Sequence, residues 1–292
     1  MTTQAFVLQL LTGLSRAAIL FIVAAGLSLV FGALRVVNVA HGSFFMVGAF
    51  VGVTVIEAVE GPAGFVLAVA AAVVVVAVLA TLVETLALRR LYASEHLLQL
   101  LATFACVLIF SDLVQFLWGE RPRSVRQPRL VSGSINLGGV IFPRYSLFLI
   151  AVAVVLAVAL WALMTRTRLG RDIRAAVSDP EMLGLVGANV PLLFTVVFAL
   201  GGALAAIGGV LAAPQSTARL GMDIDIIIES FAVVIIGGLG SLVGTAVGAL
   251  LVGLTFSFGI LFVPQAALAI VFVVMVAVLM WRPYGLFGVV ER

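Results

Sequence analysis

Residues 38–43 read Asn-Val-Ala-His-Gly-Ser inside an otherwise apolar run. These residue types invite three chemistries. A serine two residues from a histidine suggests a nucleophile and its base, but closeness in sequence does not by itself make such a pair. A histidine can bind a metal, yet the chain holds only two histidines and one cysteine, and no ligand spacing for a zinc site. The third chemistry is transport. Inside a membrane, non-helical backbone is tolerated only where protein or a water-filled cavity surrounds it. Gly42 permits close backbone approach, and Ser43 stands where it can cap the helix that follows. A helix N-terminus within a membrane protein can also stabilise an anionic group. Asn38, His41, Gly42 and Ser43 are therefore candidates for a broken helix beside a translocation path. The spacing equally allows Asn38 and His41 merely to tie up broken backbone, or to lie in a short cytoplasmic turn.

A second polar concentration is "RTRLGRDIRAAVSDPEMLGLVGANVP", residues 166–191. Arg171 to Val177 reads as a short helix. Asp179-Pro180-Glu181 reads as a helix start: Asp caps, Pro fits the first turn, and Glu favours the N-terminal dipole. Met182, Leu183, Leu185 and Val186 supply an apolar face, and Gly187 stops the helix. Arg171, Arg174, Asp179 and Glu181 are the candidates here. A small amphipathic helix of this kind either docks into a groove on another protein or lies on lipid headgroups.

The elements that must position these residues follow from composition. The chain has 292 residues, 64% hydrophobic and 10% charged, with mean hydropathy +1.32. Long apolar runs recur throughout, which predicts an all-α polytopic membrane protein. Candidate spans are 10–33, 43–60, 63–88, 97–118, 146–165, 190–213, 243–263 and 265–281, with a shorter apolar piece at 226–239. About eight or nine transmembrane helices are expected in one domain over 1–292, with broken or re-entrant segments near 34–42 and 226–240. A cytoplasmic loop is expected at 166–189 and an outer loop at 119–145.

All 16 basic side chains are arginine, which excludes an ordinary P-loop and Schiff-base chemistry. No converging nucleophile, base or metal ligands are seen, so an enzyme is not expected. Cys106 reads as a small buried hydrophobe, and the N-terminus does not read as a signal peptide. Trp118, Trp161 and Trp281, with Tyr92, Tyr145 and Tyr284, fall near span ends, as in an interfacial belt. With 166–189 cytoplasmic, that side carries Arg35, Arg89, Arg90, Arg166, Arg168, Arg171, Arg174, Arg282 and Arg292. The other side carries Arg121, Arg123, Arg126, Arg129, Arg144 and Arg219. The excess is on the expected side.

Gly240, Gly244 and Gly248, and Gly48 and Gly52, recur every four residues. They lie on one helix face each, for tight packing within the chain or against another subunit. "HGSFFMVGAFVG" and "LGSLVGTAVGALLVG" echo one another, a possible internal repeat. Glu84 is expected at the inner interface. Arg16 and Asp112 are expected to pair or to share an aqueous vestibule. Asp223, Asp225 and Glu229 form an acidic outer cluster, either solvated or facing a binding protein.

"GLSLVFGALRVVNVAHGSFFMVGAF" resembles the signature of permease subunits in branched-chain amino acid ABC transporters. Gly26, Leu27, Leu29, Phe31, Gly32, Asn38, Ala40, His41, Gly42, Met46, Gly48 and Ala49 match it. "VETLALRRLY", "LLQLLATFACVLIFSDLVQFLWG", "TRLGRDIRAAVSDPEMLGLVGANV" and "IIGGLGSLVGTAVGALLVG" are similar to later elements of the family, in the family's order. The resemblance implies a second, related permease, two ATPase subunits that bind ATP and dock on the coupling loop, and a periplasmic solute-binding protein. It implies a bacterial inner membrane, surrounding lipid, and no cofactor or nucleic acid on this chain. Arg171, Arg174 and Asp179 become coupling candidates, and Asn38 to Ser43 a pathway element. Position 43, often acidic in the family, is serine here. Relatives of this type also serve urea, short amides and aromatic acids, so those solutes stand as alternatives. A self-sufficient secondary transporter or channel is the alternative from another class.

Overall fold

A computed structural model describes residues 3–288 apart from 60, 93 and 138, so Arg292 lies outside the described residues. Its helices are α1 Thr3–Leu34, α2 His41–Ala58, α3 Pro62–Leu86, α4 His96–Trp118, α5 Arg144–Arg166, α6 Arg168–Ser178, α7 Pro180–Leu185, α8 Val190–Ala212, α9 Met222–Gly237, α10 Leu242–Phe262 and α11 Ala267–Trp281. A two-stranded antiparallel hairpin, β1 Ser134–Leu137 and β2 Val140–Pro143, stands between α4 and α5, with Ser134 opposite Pro143. Among the described residues, eight segments are long and apolar enough to cross a membrane: α1, α2, α3 with its 3₁₀ extension to Leu91, α4, α5, α8, α10, and 264–281.

The two ends of the bundle are marked by contacts between distant residues. At the hairpin end the Tyr145 hydroxyl donates to Leu211 O at 2.8 Å. There Trp118 Nε1 also donates to Thr54 at 2.7 Å, and Arg123 pairs with Ala218 across an antiparallel bridge. At the other end Thr195 donates to Glu84 at 2.8 Å, Arg35 reaches Val177 O at 3.4 Å, and Gly32 meets Gly240 backbone to backbone. So α8 finishes at the hairpin end while α10 begins at the opposite one. The 16-residue α9 carries the chain back. At 1.5 Å per residue it spans about 24 Å, less than the ~30 Å hydrocarbon core. The 213–221 connection supplies the remaining depth. The shorter apolar piece of the sequence, with the 213–221 connection before it, therefore runs from one end of the bundle to the other.

The other interruption is 35–40, between α1 and α2. Its first residue, Arg35, has φ +55°. His41, the first residue of α2, is fully buried and places Nε2 2.9 Å from Val23 O. Val23 lies eleven residues short of Leu34 on α1, about 16 Å along the axis. The chain has thus turned back into the bundle before α2 starts. The break therefore runs from the α6 end, where Arg35 reaches Val177 O, into the interior of the bundle.

Helices α1, α2 and α8 form the centre, and small residues set their spacing. A Cβ on Gly209 would lie 2.1 Å from Phe45 O, and one on Gly48 2.5 Å from the Cα of Ala206. Removing those side chains lets backbones touch. Helices α3, α4, α5 and α11 bury a narrow stripe and turn valine and leucine outward, as lipid-facing helices do.

Several expectations are corrected. Gly240 is not on a helix face: it sits in the turn before α10, at φ +79°. Gly244 and Gly248 do lie on α10, against Gly237 and Val233 of α9, while Gly52 faces Val210 of α8, so these glycines pack within the chain. Tyr145 is fully buried and Tyr92 half-buried, so both serve internal hydrogen bonds and not an interfacial belt. The two echoing Gly-Ser stretches occupy different settings: the first opens α2 inside the bundle, and the second precedes α10 at its end.

Candidate translocation site and coupling loop

The first turns of α2 and α9 meet inside the protein. A Cβ on Gly42 would lie 2.3 Å from Asp223 O, so glycine is what lets α9 approach. Ser43 Oγ donates to Asp223 Oδ2 at 3.3 Å, and both residues are buried. Ser43 was expected to cap α2; instead the helix starts two residues earlier, at His41, with Ala40 at its cap and no capping side chain. The anion held at this helix start is the chain's own Asp223 carboxylate. Around it, the Asn38 amide and His41 Nδ1 have no hydrogen-bond partner among the described residues, although both side chains are fully buried. A carbonyl can only accept, so His41 Nε2 carries a proton toward Val23 O and Nδ1 offers a lone pair.

Beside this junction lies an open cavity of about 1000 Å³, reached from the hairpin end. Its walls come from α1, α9, α10, the 213–221 connection, the β2–α5 junction and the 264–268 segment, with Phe45 of α2. Arg16 of α1 crosses it to Glu229 of α9 at 2.5 Å and lies 3.6 Å over the Phe256 ring. At the mouth Arg219 pairs with Asp225 at 2.5 Å. Arg16 therefore pairs with Glu229, not with Asp112, which stands on the exposed face of α4 and does not line the cavity. The expected acidic cluster is likewise divided: Asp223 is taken by Ser43, Asp225 by Arg219 and Glu229 by Arg16.

At the opposite end Glu84 is fully buried and gathers four donors. Arg89 approaches it bidentately at 3.2 and 3.0 Å, with the Tyr92 and Thr195 hydroxyls each at 2.8 Å. Burial first, and the Glu84 carboxylate next, push the Tyr92 hydroxyl well above its ordinary pKa, so it stays a donor. This network ties the end of α3 to the start of α8. From there α6 and α7 project. Thr167 caps α6 by accepting from Gly170 N at 3.1 Å. Asp179 caps α7 by accepting from Met182 N at 2.9 Å, with Pro180 in the first turn. Gly187, at φ +92°, follows its end. Leu183 anchors α7 inward, while Met182, Leu185 and Val186 face outward.

The family profile described as "Branched-chain amino acid transport system / permease component" matches residues 9–279. The chain belongs to this permease family. It is 28% identical to the high-affinity branched-chain amino acid transport system permease protein BraD of Pseudomonas aeruginosa, over 96% of this chain and 95% of that one. It is 26% identical to the corresponding permease protein LivH of Escherichia coli, over 97% and 96%. A probable LivH of Methanocaldococcus jannaschii is 27% identical over 93% and 89%. No solved structure matches the chain.

In this permease the candidate residues fall into two groups, one inside the bundle and one at the end that carries α6 and α7. Asn38, His41, Gly42 and Ser43 come together around the α2 start. Arg171, Asp179 and Glu181 are exposed on α6 and α7. Arg174 is exposed as well, and its guanidinium donates to Met164 O at the end of α5. Sequence reasoning missed Asp223 and Glu229 as interior partners. The signal was present: charges in apolar helices need a counter-charge, and Arg16, Asp223 and Glu229 were the ones to match across elements.

Proposed function

We propose that this permease forms half of the translocation path of an ABC importer for branched-chain amino acids. Its partners are a second, homologous permease, two ATPase subunits that bind the ATP, and a periplasmic solute-binding protein. It resides in the bacterial inner membrane, with α6 and α7 on the cytoplasmic side. The arginine bias supports that orientation: Arg35, Arg89, Arg90, Arg166, Arg168, Arg171, Arg174 and Arg282 lie there.

The observation that carries the reading is the shape of α7. A short, capped helix with Leu183 turned in and Met182, Leu185 and Val186 turned out is built to enter another protein's groove. Force delivered to α7 reaches α8 through their direct contact. At its far end α8 packs against α2, whose start is the broken segment. Orphaned polar groups at Asn38 and His41 offer donors and an acceptor beside the path. The test is co-purification with the neighbouring ATPases and reconstitution in liposomes. Uptake is expected only with ATP and the binding protein; full solute flux from this chain without any ATPase overturns the proposal.

A further inference from the structure

We infer that the cavity between α1 and α9 is a solute site for zwitterionic α-amino acids, read by the Arg16–Glu229 ion pair. The inference rests on the permease reading above and deepens it. Arg16 and Glu229 meet at 2.5 Å across a cavity of about 1000 Å³, so the pair is open to anything that enters. Ser15 lines the same cavity, is 4% exposed, and its hydroxyl has no partner among the described residues. Arg16 Nε is also buried without one. Donors for a second carboxylate are therefore already in place on α1, and one acceptor for an ammonium on α9.

Charge balance sets the ligand class. A zwitterion inserted between the two side chains replaces one ion pair by two: its carboxylate accepts from Arg16 and Ser15, and its ammonium donates to Glu229. The site stays neutral overall. A lone carboxylic acid would leave Glu229 without a cation, and a lone amine would leave Arg16 without an anion. Unpaired charge in a partly desolvated site is strongly disfavoured. A neutral amide leaves the pair closed. Ile19, Phe45 and Phe256 supply apolar wall for an aliphatic side chain, and the volume is that of a small-molecule site.

The test uses the whole transporter in proteoliposomes, with leucine as the probe. Its competitors are 4-methylpentanoate, which lacks the ammonium, and 3-methylbutylamine, which lacks the carboxylate. In the unaltered complex neither should compete. Arg16→Gln and Glu229→Gln should each lower leucine uptake about tenfold or more, as expected when a charge-assisted contact is lost. ATP hydrolysis stimulated by the loaded binding protein should persist. Competition should then diverge: the carboxylate competes in Glu229→Gln and the amine in Arg16→Gln. A merely structural ion pair would not produce that divergence. The swapped pair, Arg16→Glu with Glu229→Arg, keeps an ion pair for folding and should still transport leucine poorly. Wild-type uptake in the swap, or unchanged KM and selectivity in the single variants, overturns the inference. Absence of ATP-dependent amino acid uptake by the unaltered complex instead overturns the permease reading.

Discussion

Ser43 on α2 and Asp223 on α9 join two helices that both begin inside the protein, through one hydrogen bond of 3.3 Å. The Asp223 carboxylate sits at the first turns of both helices, the end of a helix that favours an anion. The Ser43 hydroxyl leaves Asp223 as the carboxylate at this contact. Ser43→Glu therefore places two carboxylates within contact distance, and they cannot both ionise comfortably. Transport should fall in Ser43→Glu and recover in Ser43→Glu with Asp223→Asn, measured as ATP-driven uptake. Failure of the double variant to recover, with both variants properly inserted, removes this carboxylate from the site.

Gly42→Ala tests the close approach on which that junction depends. The added methyl would lie 2.3 Å from Asp223 O, a backbone atom that cannot swing aside. Overpacking of this kind costs about 1–3 kcal/mol. A lowered thermal midpoint in detergent is expected, together with reduced uptake. Gly61→Ala, where nothing among the described residues lies within 4 Å of the added methyl but φ is +95°, reports backbone strain. The two variants should differ in transport, since only the first displaces α9.

On the coupling side, Asp179→Ala removes the acceptor for Met182 N and should loosen α7 by about 1 kcal/mol. Leu185→Asp leaves the cap intact and alters only the exposed tip. Both should weaken stimulation of ATP hydrolysis by solute, the second without a change in thermal midpoint. Arg174→Glu cuts the bond from α6 to Met164 O and should uncouple hydrolysis while the protein still inserts. Unchanged transport-coupled hydrolysis in that variant removes Arg174 from the coupling loop's machinery.

The membrane fold was legible because apolar runs of about 20 residues have few other uses. The α7 cap was legible because Asp-Pro-Glu acts on its own neighbours. Ser43 was misread for the complementary reason. A serine at a helix start caps locally unless a distant acceptor competes, and Asp223 lies 180 residues away. The same limit explains Arg16. Its cost in the membrane was clear, but Glu229 and Asp112 were equally available as counter-charges until the helices were placed. Gly240 shows the limit of periodicity: its spacing matches Gly244 and Gly248, yet the helix starts only at Leu242.

Glu84 and Arg89 should respond unequally to removal, although they share one ion pair at 3.0 Å. The carboxylate is fully buried, whereas the Arg89 side chain is 39% exposed. Glu84→Ala frees an arginine that can turn to water, and two hydroxyls must find other acceptors. One of them, on Thr195, has Pro191 O within reach as an alternative acceptor at 2.9 Å. That cost is about 1–3 kcal/mol. Arg89→Ala strands a buried carboxylate with, among the described residues, the Tyr92 and Thr195 hydroxyls to donate to it, which is the larger loss. The arginine variant should therefore be the less stable of the two in thermal or denaturant unfolding. Arg89→Lys should recover only part of the loss, because an ammonium cannot reproduce the bidentate contact. Because this network fixes the start of α8 beside α7, both alanine variants should also lose coupling between hydrolysis and uptake in the order of their stability. Equal destabilisation by the two would overturn this ordering.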